Sequence, residues 1–278
     1  MRVDTAKCVG CGNCVPVCTM GVIHVEAGHA VVNEEECVEC GTCKRFLRVE
    51  GFPAPLVRGV RAVLHAFHLA HEAPPDVCPA GALFQPDLAW PRSVRKTFSD
   101  PTIKHASTGI GGRGTEEIKT NDVTGRLGRG DAGLIVEMGR PGLGARLAEL
   151  DRVARAMAEL GARFEPKNPV TQMMPDPSTG ALNPEVLNEK VMSAIIEMKI
   201  PAARLPEFLG RLRQVAAGLT SVCSVAVAGR CGVGGSIPYE EIVVEEAGFP
   251  LSLTSKTNLG LGRPRFKDSA MAAGGEAE

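Results

Sequence analysis

Cysteine spacing constrains this chain more than any other feature of its sequence. Cys8, Cys11, Cys14 and Cys18 come in one short run, "CVGCGNCVPVC". A second run, "CVECGTC", repeats the three-residue interval with Cys37, Cys40 and Cys43, and Cys78 stands as its delayed fourth member. The residues after each fourth cysteine also correspond, "CTMGVI" from Cys18 and "CPAGAL" from Cys78. A short extended stretch precedes each triplet, "RVDTAK" and "HAVVNEEE". The chain thus contains two copies of one thiol-bearing unit. Small residues separate the thiols (Gly10, Gly12 and Asn13; Gly41 and Thr42), so each loop can curl round a compact object and turn backbone N–H groups toward sulfur.

What the thiols do depends on where they work. The N-terminus "MRVDTAKC" has no apolar stretch behind its charge, so no secretory leader is expected, and no apolar run approaches the ~20 residues that span a bilayer. A cytoplasmic location is expected, where ten cysteines point to metal rather than to disulfides. Zinc takes four ligands, usually as two separated pairs. A third thiol so close, twice over, suits the corners of an iron–sulfur cubane better. No histidine follows Cys11, which excludes the C-x-x-C-H haem signature. The formal net charge of -1 gives no global pull toward nucleic acid or an anionic surface, and aromatics at 4%, with Trp90 and Tyr239 the single members of their types, offer no base-stacking platform.

On these motifs, residues 1 to about 90 resemble the bacterial two-cluster ferredoxins, which carry two [4Fe–4S] centres. In that family the fourth cysteine of each run ligates the other cluster. The resemblance implies that Cys8, Cys11, Cys14 and Cys78 hold one cluster and that Cys37, Cys40, Cys43 and Cys18 hold the second. It also implies a low-potential carrier of single electrons. Two departures stand out. Thr19 replaces the proline expected after Cys18, and residues 44–77 separate Cys43 from Cys78 where the family has three residues. Pro79 follows Cys78 as the family requires, so the long spacer reads as an insertion.

The insertion predicts one helix, about Pro55 to His71, whose apolar positions Leu56, Val60, Val63, Leu64 and Phe67 are expected to cover a cluster from solvent. His65, His68 and His71 fall three apart, where paired helical ligands sit four apart, and read as a polar edge beside Arg58 and Arg61. From Trp90 to Gly130 the chain is rich in Gly, Thr and Arg and lacks an apolar period. "GIGGRGTEE" is neither a Walker A sequence nor a dinucleotide fingerprint, and the stretch reads as an extended arm lying along a neighbouring domain or subunit.

A regular pattern begins at Gly133. "GLIVEM" reads as a strand, "ARLAELDRVARAMAEL" as an amphipathic helix ending at Gly161, and "ARFEP" as a short strand. "KVMSAIIEMKI" alternates, with Met192, Ala194, Ile196, Met198 and Ile200 on one face; "LPEFLGRLRQVAAGL" is a second helix and "SVCSVAVAG" a last strand. The order β-α-β-β-α-β is the split βαβ plan. "GRPGLGARLAEL" from Gly139 resembles the entry of ACT domains, which bind amino acids or pair subunits. Cys223 reads as a small buried hydrophobe and Cys231 as a loop thiol; Ile242 to Val244 reads as a strand, and the tail as disordered.

The expected class is therefore α+β, in four parts. Residues 1–91 form the two-cluster domain, 92–131 a basic arm, 132–230 the ACT-like sandwich, and 231–278 a strand, arm and tail. The favoured reading is an electron-transfer protein or subunit that serves a partner oxidoreductase, with the sandwich able to pair two copies. A metabolite-sensing regulator and an iron–sulfur reductase are the alternatives. No paired carboxylates, Ser/His/Asp set or cofactor fingerprint assembles, so the chain is not expected to act as a stand-alone enzyme.

Overall fold

The computed structural model describes residues 1–69, 74–111, 126–140, 144–230 and 239–250. The segments holding His71, residues 112–125 of the Gly-rich arm, Cys231 and the tail lie outside them.

The N-terminal part is built from short strands and loops. β1 (Arg2–Val3) opens it, and β2 (Ile23–Glu26) and β3 (His29–Val32) form a hairpin. The turn residues Ala27 and Gly28 both lie at positive φ, as a two-residue type I′ turn requires. α1 (Thr42–Phe46) follows the second cysteine triplet, then β4 (Arg48–Val49), α2 (Ala54–Ala66), β5 (Val77–Cys78) and β6 (Leu83–Phe84). β1 pairs with β6, so the chain start and the stretch after Cys78 close on one another. β4 and β5 pair in parallel, which holds the two ends of the insertion side by side. The core here consists largely of cysteine: Cys8, Cys14, Cys37 and Cys43 are buried with Met1, Ile23, Ala30, Leu47 and Ala82.

α2 is shorter than its sequence suggested and faces the other way. Leu56, Val60, Val63 and Phe67 are 58%, 45%, 58% and 71% exposed, and Ala54 is its one buried residue. Arg58 explains the orientation, since its Nη2 donates to the carbonyls of Thr5, Ala6 and Cys8 at 3.2, 2.8 and 2.9 Å. Arg58 thereby holds the side that carries the half-buried Val57, Arg61 and Leu64 against the body, and Leu56, Val60, Val63 and Phe67 point to solvent. The expected cover over a cluster is thus not made by Leu56, Val60, Val63 or Phe67. His65 and His68 are exposed.

α3 (Ser93–Ser99) lies where an extended arm was expected. Val94 and Phe98, one turn apart, bury themselves in the core of the C-terminal part, too brief a signal to register as a period. That part is a four-stranded antiparallel sheet made of β7 (Asp131–Met138), β9 (Arg163–Phe164), β11 (Ala194–Pro201) and β12 (Cys223–Gly229). Its order is β12-β7-β11-β9. A small ladder of β8 (Ala145–Arg146) with β10 (Lys190–Val191) stands beside it. α4 (Leu147–Glu159) and α5 (Leu205–Ala216) cover one face. Leu147, Leu150, Ala154 and Met157 from one helix meet Leu205, Phe208, Leu209 and Leu212 from the other, over Leu134, Val136, Ile196 and Met198. The alternation expected through residue 192 breaks at Met192, whose N–H is held by Ser99 Oγ at 2.9 Å while the chain passes from β10 to β11. On the opposite face Ile135 and Ile195 form a small cluster, and the buried Glu197 accepts from Asn168 Nδ2 at 3.1 Å.

Ile242–Glu246 is a π-helical turn, and the strand expected over 242–244 does not form. Among the described residues no strand partners it; Ala247 N–H bonds back to Ile242 O, and Arg213 holds the carbonyls of Ala247 and Gly248 and lies over the Phe249 ring. β-branched residues favour strands only where a sheet edge receives them.

Ionic contacts join the two parts. Arg95 Nε pairs with Glu189 in a buried salt bridge, and its Nη1 donates to the carbonyls of Glu34, Glu35 and Cys37. Glu36 pairs with Lys190 and Arg146 across the same seam. The Lys190 hydrogen bond, helped by the charges of Lys190, Arg146 and Arg95, holds the Glu36 carboxyl below the usual carboxylate range against the opposing effect of burial. A depressed carboxylate contributes stability above its free value of about 4.3 and loses it as the pH falls through the lower folded value. Below about pH 4.3, therefore, the melting midpoint of the wild type should fall more steeply with acid than that of Glu36→Gln, whose amide cannot titrate. Parallel curves would mean that Glu36 adds nothing to the seam.

Candidate metal centres

The two cysteine loops fold alike. Gly10 and Gly12 of the first lie at φ 66° and 81°, and their counterparts Glu39 and Gly41 of the second at φ 57° and 68°. These left-handed steps coil each loop inward. At residue 10 only glycine fits, because a Cβ there would stand 2.3 Å from Gly28 O. Glu39 tolerates the same conformation with its side chain buried, bonded to the Met1 amino group and to Arg92 Nη2, the latter at 2.6 Å. Burial alone would raise the Glu39 carboxyl, but those two cations outweigh it and hold it low. Gly21 and Gly81, each three residues after a fourth cysteine, repeat one turn at φ 63° and 61°.

These loops gather the thiols into two sets. Cys8, Cys11, Cys14 and Cys78 line one cavity, with about 380 Å³ of empty space. Cys18, Cys37, Cys40 and Cys43 line another, with about 340 Å³. Each cavity draws three thiols from one run and its fourth from the other. No histidine or carboxylate lines either wall. Asn13 anchors the late arrival of Cys78: its Nδ2 donates to Pro74 O at 2.9 Å and to Val77 O at 2.8 Å, immediately before that cysteine.

Backbone and side-chain donors reach the sulfurs. Ala30 N–H donates to Cys8 Sγ at 3.2 Å and Val22 N–H to Cys18 Sγ at 3.4 Å, while Thr19 Oγ1 lies 3.8 Å from Cys40 Sγ. Burial, and after it the neighbouring Cys11 charge, pushes the Cys14 thiol up to about 12; burial with Cys40, Cys18 and Cys37 pushes Cys43 to about 11. Thiols so placed form thiolates only when a cation binds them.

A multi-atom cluster fits this donor set. Among the described residues no group of three or more His, Cys, Asp or Glu converges as a single metal ion needs. Four thiols line each cavity, the donor number and type that a [4Fe–4S] cubane takes. Sequence reasoning named the eight thiols and left out the residues that position their loops. Asn13 was read only as a small spacer, Arg58 as part of an exposed edge, and Arg95 as surplus charge in an arm, because each acts through backbone carbonyls distant in sequence. Cys223 is half-buried against the C-terminal core, where burial raises its thiol. The chain carries no helix, among the described residues, long and apolar enough to cross a membrane.

Comparison with known proteins bears on the same stretch. A family model described as 4Fe-4S dicluster domain matches residues 1–46, which include seven of the eight thiols and end before Cys78. Ferredoxin-1 of Rhodobacter capsulatus is 40% identical over 40 residues, 14% of this chain and 62% of that protein. A ferredoxin-like protein in the vnf region of Azotobacter chroococcum mcd 1 shows the same identity and coverage. The chain thus spans less than two thirds of the length of these relatives. No solved structure matches the chain significantly. The family match ends at residue 46 and lends no support to the ACT-like resemblance of 133–230. Residues 1–46 are therefore of the iron–sulfur 4Fe-4S dicluster type, with ferredoxins among their relatives.

Proposed function

We propose that this chain is an electron-transfer protein, or the electron-transfer subunit of a complex, that relays single electrons through two [4Fe–4S] clusters to a partner oxidoreductase. Cys8, Cys11, Cys14 and Cys78 hold one cluster; Cys18, Cys37, Cys40 and Cys43 hold the other. The observation that carries this reading is the exchange of fourth thiols between the two lined cavities. Bound clusters of this kind accept and release one electron at a time.

The chain's own residues supply the rest. Thiols crossed between the loops keep the two sites adjacent, and short distance favours transfer between them. Ala30 and Val22 N–H groups and the Thr19 hydroxyl stabilise charge on sulfur, a setting on which reduction potential depends. Apolar walls from Val3, Leu47, Ala82 and Leu83 at the first site, and Ile23, Val32 and Val38 at the second, limit water. The C-terminal sandwich braces the Cys37 loop through Arg95 and needs no ligand of its own to do so.

Anaerobically purified protein should contain about eight irons and eight acid-labile sulfides and bleach on reduction. The fully reduced sample should give a paramagnetic spectrum broadened by coupling between two neighbouring centres. Four irons or fewer, or an uncoupled single-centre spectrum, would overturn the two-cluster relay.

A further inference from the structure

The inward side of α2 carries Val57, Arg61 and Leu64, half-buried and spaced as one stripe of the helix. Arg58 draws that side to the first cysteine loop through the carbonyls of Thr5, Ala6 and Cys8. Asn13 holds the far end of the insertion to the same loop, through Pro74 and Val77. Arg61 is thus carried to the first set of thiols by contacts on either side of it in sequence, without needing a bond of its own.

The other cations of this region are occupied. Arg45 and Arg48 pair with Asp100 and Asp76, and Arg58 serves three carbonyls. Lys7 lines the first cavity but is exposed and paired with Asp4, where water and salt screen it. α2 contains no acidic residue, and among the described residues no carboxylate pairs with Arg61. Its charge meets sulfur instead. Burial pushes the Cys11 thiol up, and the Arg61 charge opposes that rise, after the N–H of Asn13. At the second site the Glu39 charge adds to burial in raising the Cys37 thiol, ahead of the opposing Met1 amino group. A guanidinium stays charged at every pH the fold survives, and a half-buried one is screened less than a charge in open water.

One-electron reduction at the first site adds one negative charge there. A one-electron donor supplies it and is itself oxidised, and no bond breaks. A fixed cation beside a sulfur ligand stabilises the reduced form more than the oxidised form, which raises the midpoint. We propose that Arg61 is the countercharge of the cluster held by Cys8, Cys11, Cys14 and Cys78, raising its reduction potential and shifting the shared electron toward it. The insertion is then an electrostatic part of the relay. This inference rests on the two-cluster reading of the thiols.

Redox titration of the full chain, purified anaerobically and followed by electron paramagnetic resonance, tests it. Arg61→Gln should move one centre about tenfold toward its oxidised form at a fixed potential, a fall in midpoint of about 59 mV. Iron should stay at about eight per chain, because Arg61 has no partner to strand. Arg61→Lys should recover most of the midpoint, since a point charge suffices where no bidentate contact is made. Placed in Cys18→Ser, which keeps the first cluster, Arg61→Gln should give the same fall; in Cys78→Ser, which keeps the second, it should move nothing. Unmoved midpoints at full iron, equal falls in both cysteine backgrounds, or no recovery in Arg61→Lys would each overturn the assignment and leave the relay standing. Loss of iron from Arg61→Gln would make Arg61 a structural residue and sink the assignment too. Four irons or fewer in the wild type would remove the two-cluster reading and this inference with it.

Discussion

Cys78→Ser should halve the iron and acid-labile sulfide of the purified protein, from about eight to about four of each, and remove the coupled spectrum of the reduced state. The remaining cluster should be the one held by Cys18, Cys37, Cys40 and Cys43, because Cys78 lines only the other cavity. Cys18→Ser is the complementary variant and should spare the Cys8, Cys11, Cys14 and Cys78 set. The pair of variants tests the exchange directly. If instead each run kept its own fourth thiol, Cys18→Ser would remove the cluster of the first triplet. The two variants can be told apart by a probe sensitive to Lys7, which lines the first cavity alone. Adding Lys7→Gln should shift the remaining midpoint in Cys18→Ser and leave it in place in Cys78→Ser.

Arg95→Ala should destabilise the protein by about 3–5 kcal/mol, since it strands Glu189 in a buried site and releases three carbonyls at once. Arg95 and Glu189 are each nearly inaccessible, so water cannot replace the lost partner fully. Arg95→Met with Glu189→Met, which leaves no orphan charge, should cost markedly less than the single change in denaturant unfolding. Equal losses in the two variants would show that the carbonyl contacts, and not the ion pair, carry the effect. Arg95→Lys should recover only part of the loss, because a point ammonium cannot serve the Glu189 carboxylate and the Cys37 loop together.

Legibility from sequence followed the range of the interactions involved. Glycines at corresponding positions in the two cysteine loops, and after Cys18 and Cys78, marked a duplicated backbone that the φ angles repeat. The β7-α4-β9-β11-α5-β12 order was equally plain, because each element carries its own period. The facing of α2 was not. An amphipathic pattern states that one side is apolar but not which way it points, and Arg58 decides that through carbonyls fifty residues away. α3 escaped notice because seven residues with two apolar anchors give no period, and residues 242–244 misled because Ile-Val-Val suits a strand wherever an edge exists to take it. Thr19 was read as a mere substitution for proline, yet it sets a hydroxyl near Cys40 Sγ, where its counterpart Pro79 has none to offer.

The parallel pairing of Arg48–Val49 with Val77–Cys78 has a consequence for how this chain can change. Because the excursion between them is pinched shut at its root, its length is decoupled from the position of the sulfur that follows, and each doubling of such a loop adds only about 0.6 kcal/mol of closure entropy. Only between Arg58, tied to the first cysteine loop, and Pro74, held by Asn13, is the excursion free of such ties, and there lineages could lengthen or recode it without moving the sulfur of Cys78.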